Sequence, residues 1–165
     1  MRYLIAGFAL CGAVALAAEP LPPPPPTTSL AFSEIVTLSA AVQVGAEPIG
    51  FRRWIPITGG TFQGAGLAGK VLPGSGDWQL VRADGSTVIE ADYMIETDDG
   101  VQIHVHNQGV SVHPKSGPGY TRTVPQFEAP IGKYGWLNDA IFVGTITQAG
   151  DKQHPAVLIS IYKVN

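Results

Sequence analysis

Beyond Thr27, apolar and polar residues alternate along one short run after another, and each run stops at glycine, proline or aspartate. A period of two is the mark of a strand with one face buried, and no window here sustains the 3.6-residue period of an amphipathic helix. The alternation predicts strands at Leu30 to Val44, broken somewhere inside, and at Arg53 to Ile57, Thr61 to Val71 with a glycine bend, Trp78 to Arg82, Thr87 to Thr97, Val101 to His106, Tyr120 to Val124, Ile141 to Thr147 and Ala156 to Val164. About nine short strands predict an all-β domain over residues 30–165, a single mostly antiparallel barrel, because closure removes the edges that so many strands would otherwise expose.

One hairpin can be registered from its loop. A two-residue turn at Asp99-Gly100 sets Ile95 opposite His104 and mixes polar with apolar residues on both faces. A three-residue loop, Asp98-Asp99-Gly100 with Gly100 left-handed, instead pairs Ile95 with Ile103 and Tyr93 with Val105 on one face. The other face then carries Glu96 with Gln102, Met94 with His104, and Asp92 with His106.

Thr58 to Trp78 is dense in glycine, which supplies positive φ, bulges and close backbone approach at the corners of sheets. Its Gly59-Gly60-Thr61, Gly69-Lys70-Val71-Leu72-Pro73-Gly74 and Asp77-Trp78 resemble the core pattern of the domain-of-unknown-function family 3237, small bacterial and fungal β proteins. Arg52-Arg53-Trp54-Ile55-Pro56-Ile57, Pro125-Gln126-Phe127-Glu128 and Tyr134-Gly135-Trp136-Leu137-Asn138 resemble further blocks of that family, so the likeness covers most of Phe51 to Val164. It departs at Gly74-Ser75-Gly76-Asp77, where the family more often has Gly-Gly-Ala-Asp. The resemblance implies a barrel and little chemistry.

Composition changes the picture mainly in what it excludes. With 165 residues, 45 % hydrophobic and 14 % charged, the chain can build one core. A net charge of −3 without any Lys/Arg run argues against nucleic acid and anionic membranes as partners. Arg2, the apolar Leu4 to Leu16 and the small residues of Ala15-Leu16-Ala17 read as a signal peptide over residues 1–17, which directs the protein to the periplasm or the medium. Cys11 lies inside the apolar run behind Leu10, which disfavours lipidation, and cleavage after Ala17 leaves no cysteine. Pro20 to Pro26 reads as a polyproline spacer in a linker over residues 18–29.

Two groups of residues bear chemistry. Glu90, Asp92, His104 and His106 share one face of the registered hairpin, and histidine beside carboxylate is the composition of an acid/base pair; a solvated surface has the same composition. His104-Val105-His106 lacks the downstream carboxylate and later histidine that a metal site of that spacing needs, so neither a metal nor a cofactor is expected. Arg53, Asp77, Trp78, Tyr134, Trp136 and Asn138 in the family-like blocks form the second group, placed to line a barrel mouth with aromatic walls and a few polar groups. Ser75 lacks a nucleophile elbow, and no helix follows Gly64-Ala65-Gly66-Leu67-Ala68-Gly69 to cradle a phosphate. Three functions follow from this composition: binding of a small, partly aromatic or apolar molecule in the mouth; cofactor-independent isomerase, cyclase or lyase chemistry on the acid/base face, with Arg53 stabilising an oxyanion; and a structural or protein-interaction role.

Overall fold

A computed structural model describes residues 22–64 and 66–165. The predicted signal peptide and the start of the linker lie outside these residues. Residues 22–27 are exposed and form no regular structure, and the first strand begins at Thr28, two residues before the predicted domain start.

Ten strands follow: β1 (Thr28–Leu38), β2 (Val42–Glu47), β3 (Gly50–Gly64), β4 (Leu67–Val71), β5 (Ser75–Val81), β6 (Thr87–Thr97), β7 (Gln102–Val112), β8 (Tyr120–Glu128), β9 (Phe142–Gln148) and β10 (Ala156–Val164). All pairings are antiparallel. On one side β3 pairs with β1 and, further along, β2; on the other it pairs with β4 and β5, both of which also pair with β6. Strand β2 thus prolongs the line of β1 and β5 that of β4, so ten strands fill eight positions, and the β1–β10 and β1–β3 ladders close the ring. The expected barrel is therefore present, with a single turn of 3-10 helix at Gly135–Leu137 that the strand pattern did not foretell.

The prediction split β3 in two, and the structure gives the reason. Thr37 faces Gly59 while Leu38 faces Ile57, so Thr58 is an extra residue on β3. This bulge reverses the phase: the buried side chain on the N-terminal half is the odd-numbered Ile57, whereas beyond the bulge it is the even-numbered Phe62. The hairpin of β6 and β7 has the predicted register throughout, with Ile95 opposite Ile103, Tyr93 opposite Val105 and Asp92 opposite His106, and Gly100 takes the left-handed φ of 82° that the three-residue loop requires.

The packed half of the barrel holds Phe32, Phe62, Phe127 and Phe142, stacked edge-on or tilted with ring centroids 5.0 to 5.9 Å apart. Leu137 and Tyr134, both buried, stop this end. The Tyr134 hydroxyl donates to Asp99 Oδ1 (2.7 Å), and Lys133 Nζ pairs with Asp99 Oδ2 (2.9 Å), which ties the plug to the β6–β7 loop. The hydrophobic filling thins out toward the other end, and a cavity opens there.

Candidate functional site

The cavity has a volume of about 700 Å3, within the range of small-molecule sites. Strand alternation builds it. Inward positions of β1, β3, β6 and β10 contribute Val36, Ile55, Ile57, Ile89, Ala91 and Ile159, an aliphatic lining. Polar groups come from the same inward phase: Arg53 on β3, Asp77 and Gln79 on β5, Tyr93 on β6, Asn107 and Ser111 on β7, and Thr121 on β8.

On one wall these groups form a chain of hydrogen bonds. Arg53 Nε donates to Gln79 Oε1 (2.8 Å), and Gln79 Nε2 donates in turn to Asp77 Oδ2 (2.5 Å). Asp77 Oδ1 accepts the backbone N–H of Glu90 (3.0 Å). Burial raises the Asp77 pKa above the ordinary carboxylate value, against the opposing pull of the Gln79 and Glu90 hydrogen bonds and the Arg53 charge. At the rim, Ser111 Oγ lies 2.7 Å from Thr121 Oγ1 and 3.0 Å from His113 Nε2.

Beneath the cavity sits a buried acid. Glu34 is fully enclosed, and the Tyr93 hydroxyl donates to its Oε2 at 2.6 Å. Burial pushes the Glu34 carboxyl up to about 7, partly offset by that hydrogen bond, and pushes the Tyr93 phenol well above its usual value. Glu34 Oε1, Asn107 Oδ1 and Thr123 Oγ1 are buried without a hydrogen-bond partner.

The predicted residues are divided among four places. Arg53 and Asp77 line the cavity. Trp78, adjacent to Asp77 on a strand, points the opposite way, outward, where it lies against Trp54 with ring centroids 6.2 Å apart. Tyr134, Trp136 and Asn138 belong to the plugged end: Trp136 packs on Phe142, and Asn138 clamps its loop by bonding both backbone groups of Ala129. The wall of Trp78, Tyr134 and Trp136 expected of the mouth is thus not there, and among the described residues the cavity is lined by aliphatic and polar side chains with Tyr93 and His113.

Glu90, Asp92, His104 and His106 occupy the outer face of the β6–β7 hairpin, opposite to the buried Ala91, Tyr93 and Val105. Asp92, His104 and His106 form a cluster with Glu128, apart from Glu90: Asp92 Oδ1 meets His104 Nε2 (2.6 Å), Asp92 Oδ2 meets His106 Nδ1 (2.8 Å), and His104 Nδ1 reaches Glu128 Oε2 (3.2 Å). Burial would raise the Asp92 pKa, but the hydrogen bonds and charges of His106 and His104 outweigh it and hold the pKa below its ordinary value. The imidazole nitrogens bond to carboxylates rather than converging on one point, and no group able to hold a metal ion occurs among the described residues. Replacing both His104 and His106 by alanine is expected to change the affinity of any cavity ligand by less than about twofold, measured by calorimetry, because neither side chain lines the cavity.

Sequence reasoning missed Glu34, Gln79, Tyr93 and Asn107 as site residues. Glu34 did carry a signal, since it stands in the inward phase of Phe32 and Val36, where a carboxylate is out of place. Gln79 follows Asp77 at the two-residue spacing that puts both on one face.

Together these features define a class: a closed antiparallel barrel of eight positions, plugged at one end and open at the other onto an aliphatic cavity with a polar wall. The chain belongs to the family described as "Protein of unknown function (DUF3237)", which matches residues 26–164. A UPF0311 protein of Clostridium acetobutylicum is 36% identical to it over 148 residues, covering 81% of this chain and 91% of its own length. Among solved structures, a conserved protein of unknown function from Rhodopseudomonas palustris is similar at a TM-score of 0.79 and 32% identity, over 87% of this chain and 100% of that one. A β-barrel-like protein from Acinetobacter baumannii gives a TM-score of 0.78 at 31% identity, over 87% and 99%.

Proposed function

We propose that the protein binds a small, largely apolar molecule in the open mouth of its barrel. The observation that carries this reading is the cavity itself: about 700 Å3 of space with aliphatic walls and a polar chain, Arg53–Gln79–Asp77, along one side. A barrel filled for stability alone would pack that end as it packs the phenylalanine end. The test is calorimetric titration with a panel of small alicyclic, lactone and aromatic compounds. Saturable binding is expected at a Kd between about 1 μM and 1 mM, the range open to ligands of this size. Ala91→Phe puts a ring into the cavity beside Asp77 and Asn107, its partners on the neighbouring strands, while removing neither of them, and is expected to abolish that binding; undiminished binding by this variant would put the site elsewhere.

A second reading, acid/base catalysis, rests on Asp77. Its pKa is raised by burial, and it stands one glutamine away from a guanidinium. In this reading the proton α to a carbonyl passes to the Asp77 carboxylate, the electron pair moves onto the carbonyl oxygen beside Arg53, and the proton returns to carbon. Incubation of an enolisable ketone in D2O is expected to show deuterium uptake with the native protein and none with Asp77→Asn. Unchanged exchange in that variant removes Asp77 from the role. The proposal also keeps the export reading of residues 1–17: the mature protein is expected to begin at Ala18, checked by intact mass of the exported fraction.

A further inference from the structure

We propose that the cavity takes an anionic molecule, a carboxylate carried on an aliphatic body, and that the free edge of the Arg53 guanidinium holds its two oxygens. The inference rests on the reading of the cavity as a small-molecule site and names the class of molecule it takes.

The polar wall is built so that each member orients the next. Asp77 accepts through both oxygens, from the backbone N–H of Glu90 at Oδ1 and from the Gln79 amide at Oδ2. With its Nε2 donated there, Gln79 turns Oε1 to the other side, and that one oxygen accepts from both Nε and Nη2 of Arg53. A guanidinium has five N–H groups, and these two bonds use the edge that contains Nε. The terminal edge, Nη1 with the outer N–H of Nη2, has no partner among the described residues, and Arg53 forms no ion pair among them. Two parallel N–H groups on one edge match the two oxygens of a carboxylate. Arg53 is half-buried in the cavity lining, so that edge is open to an occupant.

Charge favours an anion as well. Apart from His113, the titratable side chains with a charge at neutral pH that line the cavity are Arg53, Arg122 and Asp77, two cations against one acid in a chain whose net charge is −3. Asp77 has little to offer a cationic occupant, because each of its oxygens already accepts a hydrogen bond. Val36, Ile89 and Ile159 wall the rest, which suits an aliphatic body and screens a charge pair less than water does.

Adamantane-1-carboxylate, adamantane-1-carboxamide and 1-aminomethyladamantane share one body and differ at the head: anion, neutral amide, cation. In calorimetric titrations of the native protein at neutral pH, the carboxylate is expected to bind at least about tenfold more tightly than the amide, with the amine weakest. Arg53→Gln is expected to bring carboxylate and amide to within about twofold of one another, by loss of carboxylate affinity. If that variant does not fold, as judged by its circular dichroism, Arg53→Met is read the same way. The native protein supplies a further readout: raising the salt from about 0.05 to about 0.5 M is expected to weaken the carboxylate at least twofold and to leave the amide unchanged. Equal binding of carboxylate and amide by the native protein overturns the inference. So does tightest binding of the amine, a carboxylate preference that survives the substitution, or one that is indifferent to salt. In each of those cases the cavity is still a ligand site. If none of the three compounds, and none of the wider panel, binds at all, the cavity reading falls and takes this inference with it.

Discussion

Replacing Glu34 by glutamine is expected to raise the stability of the protein by about 3 kcal/mol at pH 8 and by less than about 1 kcal/mol at pH 5. Glu34 is fully buried and its carboxyl is pushed up to about 7, above the ordinary value of 4.5. The folded state therefore holds a proton on Glu34 between those two values that the unfolded state has released. Stability from this group is complete below pH 4.5, falls as pH rises, and is lost once pH passes about 7, where folding must bury a carboxylate. Glutamine keeps the shape and the acceptor for Tyr93 but has no charge to bury. Urea unfolding of both proteins from pH 5 to 8 checks this: the native slope should flatten in the variant. Burial raises Asp77 as well, so whatever slope its titration adds has the same sign. Curves that run parallel over the whole range would mean that Glu34 ionises without cost.

Gly60→Ala is expected to cost about 3 to 5 kcal/mol and to prevent folding at moderate temperature. Gly60 has φ +139°, a region that L side chains rarely adopt, and a Cβ there would lie 2.0 Å from the backbone oxygen of Ile35. Strain of roughly 1–3 kcal/mol and an overpacking cost of similar size combine, and backbone cannot rotate away as a side chain can. Gly66→Ala is the control. Its φ is +75°, but nothing lies within 4 Å of the added carbon, so only the left-handed penalty of about 1 kcal/mol applies. Thermal unfolding of the two variants measures the difference; similar losses would show that close approach contributes nothing at position 60.

Much of the fold was legible because alternation needs no partner to be read. The strands Thr87–Thr97 and Ala156–Val164 stand where the pattern put them, and the β6–β7 register followed from a loop length and one glycine. What the pattern concealed was a phase change: Thr58 adds one residue to β3, and a reader of alternation sees two strands where one continues. The site was less legible. Arg53 and Asp77 came from blocks that resemble a family, yet Trp78 cannot share a face with Asp77 on any strand, so one of that pair was bound to point away. The histidines drew the eye by their chemistry and lie on the outer face, whereas Gln79 looks ordinary in sequence and matters only because it stands between Asp77 and Arg53. Which edge of a guanidinium is left free depends on the partner that register sets across two strands, and it cannot be read along one.

The ladder between β8 and β9 consists of two residue pairs, Arg122 with Thr145 and Thr123 with Gly144, whereas β6 and β7 share ten. Pro125, without an amide hydrogen, follows at once on β8, and the cavity lining runs along this seam through Thr121, Arg122, Thr145 and Thr147. A ring with one weak joint behaves like a sprung clip: the load of widening falls on the joint, and the remaining staves keep their registers. At about 1 kcal/mol net for each backbone bond, parting this joint costs little beside the stability of a domain. Any widening at the open end would therefore fall first on Arg122–Thr145 and Thr123–Gly144, the two pairs beside the cavity.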